Sequence, residues 1–217
     1  MKSFLSIKLL CEFIGVAIIT ATALASNQLT DSIIIKGLLI GVTVSTLIHC
    51  FGRISGAHFN PAVTFYLSKK FSMRFEEQFA YIFFQTFGAV VSIMILQKKF
   101  FNFSVITPTD NIFFGNVLFT EFIFTSLLLL LISSWEREGK LCPISQPLTG
   151  VVIGMGLSIF VILSEFYGSG ILNPAISIAI AVNEGPHMLI PKLTGQLFAV
   201  IFVRITFSLI PEKALDN

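Results

Sequence analysis

The tripeptide Asn60-Pro61-Ala62 recurs as Asn173-Pro174-Ala175, 113 residues further along the chain. The same offset aligns four more identical residues without a gap, and a glutamate and a glutamine flank each tripeptide in the same order with small differences in spacing. These matches are Gly37, Ile40, Gly41 and Ser45 with Gly150, Ile153, Gly154 and Ser158, then Glu12 with Glu121 and Gln85 with Gln196. Chance rarely supplies so many matches in one order. The pattern predicts a single domain over residues 1–217, built from two repeats at about 1–104 and about 108–217.

The composition of the chain is typical of a membrane protein. Apolar residues make up 54% of the 217 residues and charged residues only 12%, against roughly 25% charged residues in soluble domains. Six stretches reach the ~20 mostly apolar residues that a helix needs to cross a bilayer: about 9–27, 34–52, 76–97, 115–134, 146–164 and 188–210. They leave no room for a soluble catalytic domain. We therefore predict an all-α membrane protein embedded in a lipid bilayer.

The number of spans in each half sets the topology. Because each half has three spans, the second copy must enter the membrane from the opposite side, which gives an inverted repeat. With both termini in the cytoplasm, nine basic residues near helix ends lie on the cytoplasmic side and four lie outside, as the positive-inside rule favours. Inverted repeats with interrupted helices at matching positions are typical of a transport site near the bilayer midplane.

The two tripeptides lie between spans, each ahead of a short apolar stretch. Asn is a favoured N-cap residue whose side-chain oxygen accepts a backbone N–H, and Pro suits the first helical position. We predict half-helices over about 61–68 and 174–183 that fold back into the bundle, since non-helical backbone at membrane depth must be buried or line a watery cavity. Each Asn NH2 would then point into the lumen. The two facing helix N-termini would make the middle of the pore positive and repel cations.

Aquaporins and glycerol facilitators, the major intrinsic protein family, carry two signature loops that this chain resembles: Ser55-Gly56-Ala57-His58-Phe59-Asn60-Pro61-Ala62-Val63-Thr64 and Leu172-Asn173-Pro174-Ala175. The resemblance runs from Glu12 to Gln196. It implies six helices with two re-entrant half-helices, and a homotetramer with one pore per subunit. It also implies passive conduction of water or small neutral solutes, with no cofactor.

The resemblance further implies roles for three polar residues. In the family, acidic residues at the positions of Glu12 and Glu121 accept hydrogen bonds from the re-entrant loops. Contact with the solute or a proton relay is the alternative, since an ionisable residue inside a span is a functional hypothesis by default. His58 resembles a loop residue that lines the cytoplasmic half of the pore, and the alternative is a packing or capping histidine.

One position departs from the family pattern. Typical members have Arg three residues after the second Asn, where this chain has Ile176. The spacing of the family's outer constriction places the other members of this filter at Ile40, Val161 and Gly170, with Leu163 as the alternative to Val161. Such a filter has no charge, no aromatic ring and no side-chain donor. In this it resembles bacterial members whose second motif also lacks the Arg, which implies a bacterial inner membrane.

An apolar filter removes water from a solute without replacing its hydrogen bonds, which is costly. Water should therefore pass slowly unless the ring is wide, and Gly170 with its short aliphatic partners indicates width. We predict a passive channel for water or small neutral solutes, with polyols, undissociated metalloid acids and ammonia as candidates. The alternative is a non-conducting structural membrane protein that kept the scaffold, although adhesion does not require two pore asparagines.

Other classes of function find no support in the sequence. The histidines and cysteines are scattered without metal-ligand spacing: His49, His58, His187, Cys11, Cys50 and Cys142. No nucleophile–base pair or metal cluster indicates an enzyme. The formal net charge of +2 gives no reason to expect nucleic acid as a partner.

Overall fold

The computed structural model describes residues 2–99, 113–138, 148–186 and 188–209. Eight helices occupy these ranges: α1 (Lys2–Leu29), α2 (Ile33–Ser55), α3 (Pro61–Lys70), α4 (Phe75–Lys99), α5 (Phe114–Glu138), α6 (Thr149–Phe166), α7 (Pro174–Glu184) and α8 (Leu189–Ser208). All but α3 and α7 are long and apolar enough to cross a membrane, which confirms the predicted spans and the all-α fold. The predicted repeat boundary between residues 104 and 108, together with Cys142 and His187, lies outside the described residues.

The short helices α3 and α7 begin as the two tripeptides predict. Asn60 and Asn173 are the N-caps, with extended φ angles of −156° and −145°, and Pro61 and Pro174 open the helices. The helices contain 10 and 11 residues. At about 1.5 Å per residue, each is roughly half as long as a bilayer core is thick. They are therefore half-helices.

Corresponding helices of the two halves pack on each other at the centre. α2 lies against α6, while α1 packs on α4 in the first half and α5 packs on α8 in the second. A Cβ on Gly41 would lie 2.3 Å from the Gly154 carbonyl oxygen, and a Cβ on Gly154 would lie 2.4 Å from the Gly41 carbonyl oxygen. Only glycine permits this approach, which is how small residues act at helix contacts in membranes. The reciprocal contact gives the two halves a pseudo-twofold relation.

Candidate functional site

A cavity of about 940 Å³ lies between the two halves. Its lining includes Thr149 and Phe166, the first and last residues of α6. This helix of 18 residues rises about 27 Å at 1.5 Å per residue. The hydrocarbon core of a bilayer is about 30 Å thick. The cavity therefore reaches across most of a membrane.

Two matching apolar stripes face the cavity, one on α2 and one on α6. Each residue of the second stripe follows its counterpart in the first by 113 positions. The stripes consist of Ile40, Val44 and Ile48 on α2 and of Ile153, Leu157 and Val161 on α6. Because residues four apart share one face of a helix, each helix presents a continuous aliphatic surface to the cavity.

The four residues predicted for the outer constriction, Ile40, Val161, Gly170 and Ile176, all lie in the cavity lining. Val161 is only 7% exposed. Leu163, the alternative to Val161, is 44% exposed and lies outside the lining. Of these two residues, it is Val161 that reaches the cavity.

The two motif asparagines are joined across the halves by reciprocal hydrogen bonds. Each Asn Oδ1 accepts the backbone N–H of the second residue after it, at 2.9 and 3.0 Å. Asn60 Nδ2 donates to the Leu172 carbonyl oxygen at 2.8 Å, and Asn173 Nδ2 donates to the Phe59 carbonyl oxygen at 2.9 Å. An amide NH2 has two N–H donors. The prediction that each NH2 points wholly into the lumen is therefore wrong, because one N–H of each amide binds the opposite loop and one remains.

The carbonyl acceptors of these bonds belong to residues with an unusual backbone conformation. Phe59 and Leu172 have positive φ angles of 49° and 51°, in a region where a non-glycine residue is strained by about 1–3 kcal/mol. They precede the two asparagines at equivalent positions and are 2% and 1% exposed. Each turn directs a carbonyl oxygen to the opposite Asn, so the contact between the loops offsets this strain.

Glu12 holds the first motif loop from within α1. Its carboxylate accepts hydrogen bonds from Ser55 Oγ at 2.7 Å, from the backbone N–H groups of His58 at 3.1 Å and Phe59 at 2.7 Å, and from Gln85 Nε2 at 2.8 Å. A carboxylate has about four acceptor sites, so this one is saturated. Glu12 is fully buried and lies outside the cavity lining. Its geometry is that of a loop scaffold rather than of a solute contact.

Glu121 holds the second motif loop in the same way from α5. Its carboxylate accepts from Ser169 Oγ, from the Leu172 backbone N–H at 3.0 Å and from Gln196 Nε2 at 2.7 Å. Gln196 Nε2 also lies 3.3 Å from Ser177 Oγ in α7, and the glutamine of the first half makes the matching bond to α3 at 2.9 Å. Both loops are therefore tied to the bundle by one glutamate and one glutamine.

The architecture matches a known family over almost its whole length. The family model described as Major intrinsic protein matches residues 3–202. The chain belongs to the major intrinsic protein family. It is thus an integral membrane protein, as the six apolar helices also indicate.

Three known proteins illustrate the likeness. Aquaporin NIP1-1 of Arabidopsis thaliana is 29% identical over 193 residues, which cover 82% of this chain and only 64% of the plant protein. Glycerol uptake facilitator protein-like 6 of Lactiplantibacillus plantarum is 28% identical over 206 residues, or 89% of this chain and 94% of that protein. The X-ray structure of the aquaglyceroporin from Plasmodium falciparum superposes with a TM-score of 0.72 at 22% identity, over 98% of this chain and 99% of the other. The last comparison confirms the aquaporin fold.

In this major intrinsic protein, His58 lines the cavity and also packs against α3 and α4. Its ring Nδ1 lies 3.2 Å from Thr64 Oγ1, and its ring centroid lies 5.3 Å from that of Tyr81. The residue 113 positions further on is Ile171, which also lines the cavity. The placement of His58 thus combines the two alternatives that the sequence left open, lining and packing.

Arg204 fastens the far end of half-helix α3, a role that sequence reasoning missed. Its Nη2 donates to the Phe65 carbonyl oxygen and to Ser68 Oγ, the latter at 3.0 Å. The guanidinium carbon also lies 4.9 Å from the centroid of the Phe65 ring. Cations near helix C-termini are favoured by the helix dipole. The signal available in the sequence was a charge inside a predicted span.

Lys192 is a second basic residue to which sequence reasoning gave no role in the site. It lies on α8, is only 5% exposed and lines the cavity. Its spacing of four residues from Gln196 places both on the inward face of the helix. That spacing was the signal by which the residue could have been found.

Proposed function

We propose that this chain is a passive channel that conducts water and small neutral solutes across a membrane. The observation that carries the proposal is the pair Asn60 and Asn173, which line the cavity and cap the two half-helices. Relatives named aquaporin and glycerol uptake facilitator support the same activity. The proposal makes the protein a channel and not an enzyme.

The centre of the channel replaces part of a solute's hydration shell. Each motif Asn keeps one N–H beyond the one bound to the opposite loop. A water or hydroxyl oxygen has two lone pairs and accepts from both asparagines. A cation gains no acceptor from these donors, and it meets two helix N-termini that each carry roughly half a positive charge. Oxygen-bearing neutral molecules therefore pass the centre, whereas cations are repelled.

The outer constriction favours neutral solutes whose free energy of desolvation is small. Ile40, Val161 and Ile176 offer no hydrogen bond, so every polar group that passes them is desolvated at a cost. Gly170 adds no side chain to this ring, so the ring is wider than one made of four side chains. We therefore place polyols, undissociated metalloid acids and ammonia among the candidate solutes.

The proposal has three further parts. The protein assembles as a homotetramer with one pore in each subunit, it resides in a bacterial inner membrane, and both termini face the cytoplasm. The family supports the first, the apolar filter without Arg supports the second, and the excess of basic residues on the cytoplasmic side supports the third. Cross-linking in membranes and accessibility labelling of cysteines placed at either terminus test the first and the third.

Stopped-flow light scattering on proteoliposomes tests the channel itself. Vesicles are exposed to gradients of an impermeant osmolyte, of glycerol and of a neutral metalloid acid. We compare Val161→Trp, which places an indole in the cavity, with the control Leu163→Trp. Leu163 lies two residues further along the same helix, on the face that points away from the cavity. The wild type and the control are expected to exceed empty vesicles severalfold for at least one solute, and Val161→Trp is expected to fall to the rate of empty vesicles.

Two results would contradict the proposal. Wild-type vesicles that match empty vesicles for every solute would favour the structural, non-conducting alternative. Flux through Val161→Trp equal to that through Leu163→Trp would show that the cavity is not the route of the solute.

A further inference from the structure

The aliphatic stripe on α6 continues into a carboxylate. Glu165 follows Ile153, Leu157 and Val161 at the same spacing of four residues, and it also lines the cavity. Because residues four apart share one face of a helix, Glu165 belongs to the cavity side of α6. At about 1.5 Å per residue, its backbone lies roughly 6 Å beyond Val161 along the helix. The carboxylate is therefore attached one helical turn from the outer constriction.

A neighbouring glycine shows where this carboxylate lies. A Cβ on Gly170 would be 2.7 Å from Glu165 Oε2 and 3.3 Å from the Val161 carbonyl oxygen, and the first of these distances is too short for a real contact. The Glu165 oxygen thus occupies the place where a side chain of residue 170 would begin. Since Gly170 and Val161 both line the cavity and both belong to the predicted constriction, the carboxylate lies beside that ring.

The acceptor sites of the Glu165 carboxylate are open to a solute. The residue is exposed, and in the described part of the chain no hydrogen bond or ion pair engages its carboxylate. The carboxylates of Glu12 and Glu121, by contrast, are taken up by the motif loops. A carboxylate has about four acceptor sites, so Glu165 adds acceptors next to a ring that has no polar side chain of its own.

The charges in the lining balance one another. Asp31 and Glu165 are acidic, Lys36 and Lys192 are basic, and all four line the cavity. Their formal charges sum to zero, so the lining has no net charge with which to collect ions. What Glu165 contributes beside the ring is therefore a local acceptor of hydrogen bonds.

We propose that Glu165 is a specificity-determining residue that accepts hydrogen bonds from the hydroxyl groups of a solute as it enters the outer constriction. The proposal rests on the proposed channel function and names its solute class, which is small neutral molecules with several hydroxyl groups, such as polyols and undissociated metalloid acids. These molecules lose water at the aliphatic ring, which is costly. Hydrogen bonds to an ionised group are roughly twice as strong as those between neutral groups, so the carboxylate offsets part of that cost.

The order of partners along the passage suits a hydroxyl group, which both donates and accepts. Its O–H finds an acceptor at Glu165, and its oxygen then meets the free N–H donors of Asn60 and Asn173. Water depends less on Glu165, because a water molecule in the ring can stay bonded to the water that follows it.

Stopped-flow light scattering on proteoliposomes of the full chain tests the proposal with glycerol, boric acid and an impermeant osmolyte that reports water. Glu165→Leu removes the acceptors, whereas Glu165→Gln keeps one acceptor oxygen without the charge. The control Asp31→Asn removes a negative charge from the same lining. Asp31 precedes the first residue of α2, which lies about 10 Å from Ile40 along the helix.

The expected result is a change of selectivity. In Glu165→Leu, the flux of each hydroxyl solute that the wild type conducts should fall about fivefold or more, as the loss of a hydrogen bond to a charged group implies. Its water flux should stay within roughly twofold of wild type. Glu165→Gln should lie between the two, and Asp31→Asn should match the wild type.

Several results would overturn the proposal. Unchanged glycerol and boric acid flux in Glu165→Leu, or wild-type vesicles that conduct water but neither solute, would defeat it and leave the channel proposal standing. An equal fall in the flux of all three probes, together with lower thermal stability, would make Glu165 a structural residue. An equal effect of Asp31→Asn would assign the selectivity to the charge of the outer mouth. Wild-type vesicles that conduct nothing would defeat the channel proposal, and this one with it.

Discussion

The two motif loops share their anchors and differ in the chemistry that they show to the passage. Each loop is held by a glutamate, by a glutamine and by an Asn from the opposite half. At matched cavity-lining positions, however, the first loop has His58 where the second has Ile171. Beside the loops, Tyr81 of the first half corresponds to Lys192 of the second, since each precedes its glutamine by four residues. The positions that hold the backbone kept the symmetry of the repeat, whereas these two pairs of side chains diverged.

The largest effect is expected from removing a glutamate anchor. Glu12→Ala removes the acceptor of four hydrogen bonds, two of which come from backbone N–H groups of the first loop. Glu121→Ala removes the acceptor of three, two of which come from the second loop. A buried unsatisfied donor costs about 1–3 kcal/mol. Both variants should therefore lose most of the free energy of unfolding, and Glu12→Ala should lose more. Thermal unfolding in detergent, followed by size-exclusion chromatography, shows which of the two variants is less stable.

A surface pair provides the control for these variants. Glu77 lies 3.6 Å from Lys8 and both side chains are partly exposed, so the pair is worth about 0–1 kcal/mol. Glu77→Gln should leave the melting temperature nearly unchanged. A greater loss for Glu121→Ala than for Glu12→Ala would show that the number of hydrogen bonds does not rank the two anchors.

An intermediate effect is expected at Arg204, which has no mirror image in the described part of α7. There, Asn183 Nδ2 donates to the Ala179 carbonyl oxygen of its own helix at 2.7 Å. Hydrogen bonds to a charged group are worth about 1.5–3 kcal/mol, so Arg204→Met should destabilise the protein by roughly that amount. Arg204→Lys keeps the charge but loses the planar fork, and it should fall between Arg204→Met and wild type. Chemical denaturation in mixed micelles measures the stability of the wild type and of both variants. Identical curves for wild type and Arg204→Met would show that Arg204 does not stabilise α3.

The smallest effect is expected from His58→Ile, which gives the first loop the residue type of the second. The backbone N–H at this position still donates to Glu12, while the ring contact with Thr64 is lost. One neutral hydrogen bond is worth about 1 kcal/mol, so the protein should fold with a modest loss of stability. Because the inner half loses a polar side chain, glycerol flux in stopped-flow assays should fall. We expect a decrease of roughly two- to threefold, which corresponds to less free energy than one neutral hydrogen bond contributes.

Ile171→Val is the matched control for His58→Ile, since it shortens the equivalent side chain without a change of polarity. Its glycerol flux should equal that of wild type. Equal flux in His58→Ile and wild type would mean that the histidine ring does not contact the solute, and that the polar difference between the two loops has no part in selectivity.

Much of this site was predictable because it depends on local signals and on the repeat. The N-caps follow from Asn before Pro, and the resemblance to the family implied the glutamate anchors. The choice between Val161 and Leu163 was left open by the sequence, and the structure shows the same difference in both halves. Ile48, the counterpart of Val161, also lines the cavity, whereas Cys50, the counterpart of Leu163, is exposed.

The features that the sequence did not reveal depend on contacts between distant parts of the chain. Phe59 and Leu172 are bulky residues, which normally avoid positive φ. The hydrogen bond from the Asn of the opposite loop to each carbonyl oxygen offsets the strain of that conformation. The hydrogen-bond partners of Arg204 lie 139 and 136 residues away along the chain. Periodicity and spacing carry no information about such pairs.

The reciprocal bonds of Asn60 and Asn173 also fix an order of events in time. They join residues 112 and 114 positions apart, so the first loop leaves the ribosome before its partner has been made. At about 5–20 residues per second, the delay is on the order of 6–20 s. Glu12 is already synthesised by then, but the Asn60 amide still lacks its carbonyl acceptor. The first loop therefore reaches its final form only when the second half has entered the membrane, and a chain truncated between the halves carries an unfinished pore.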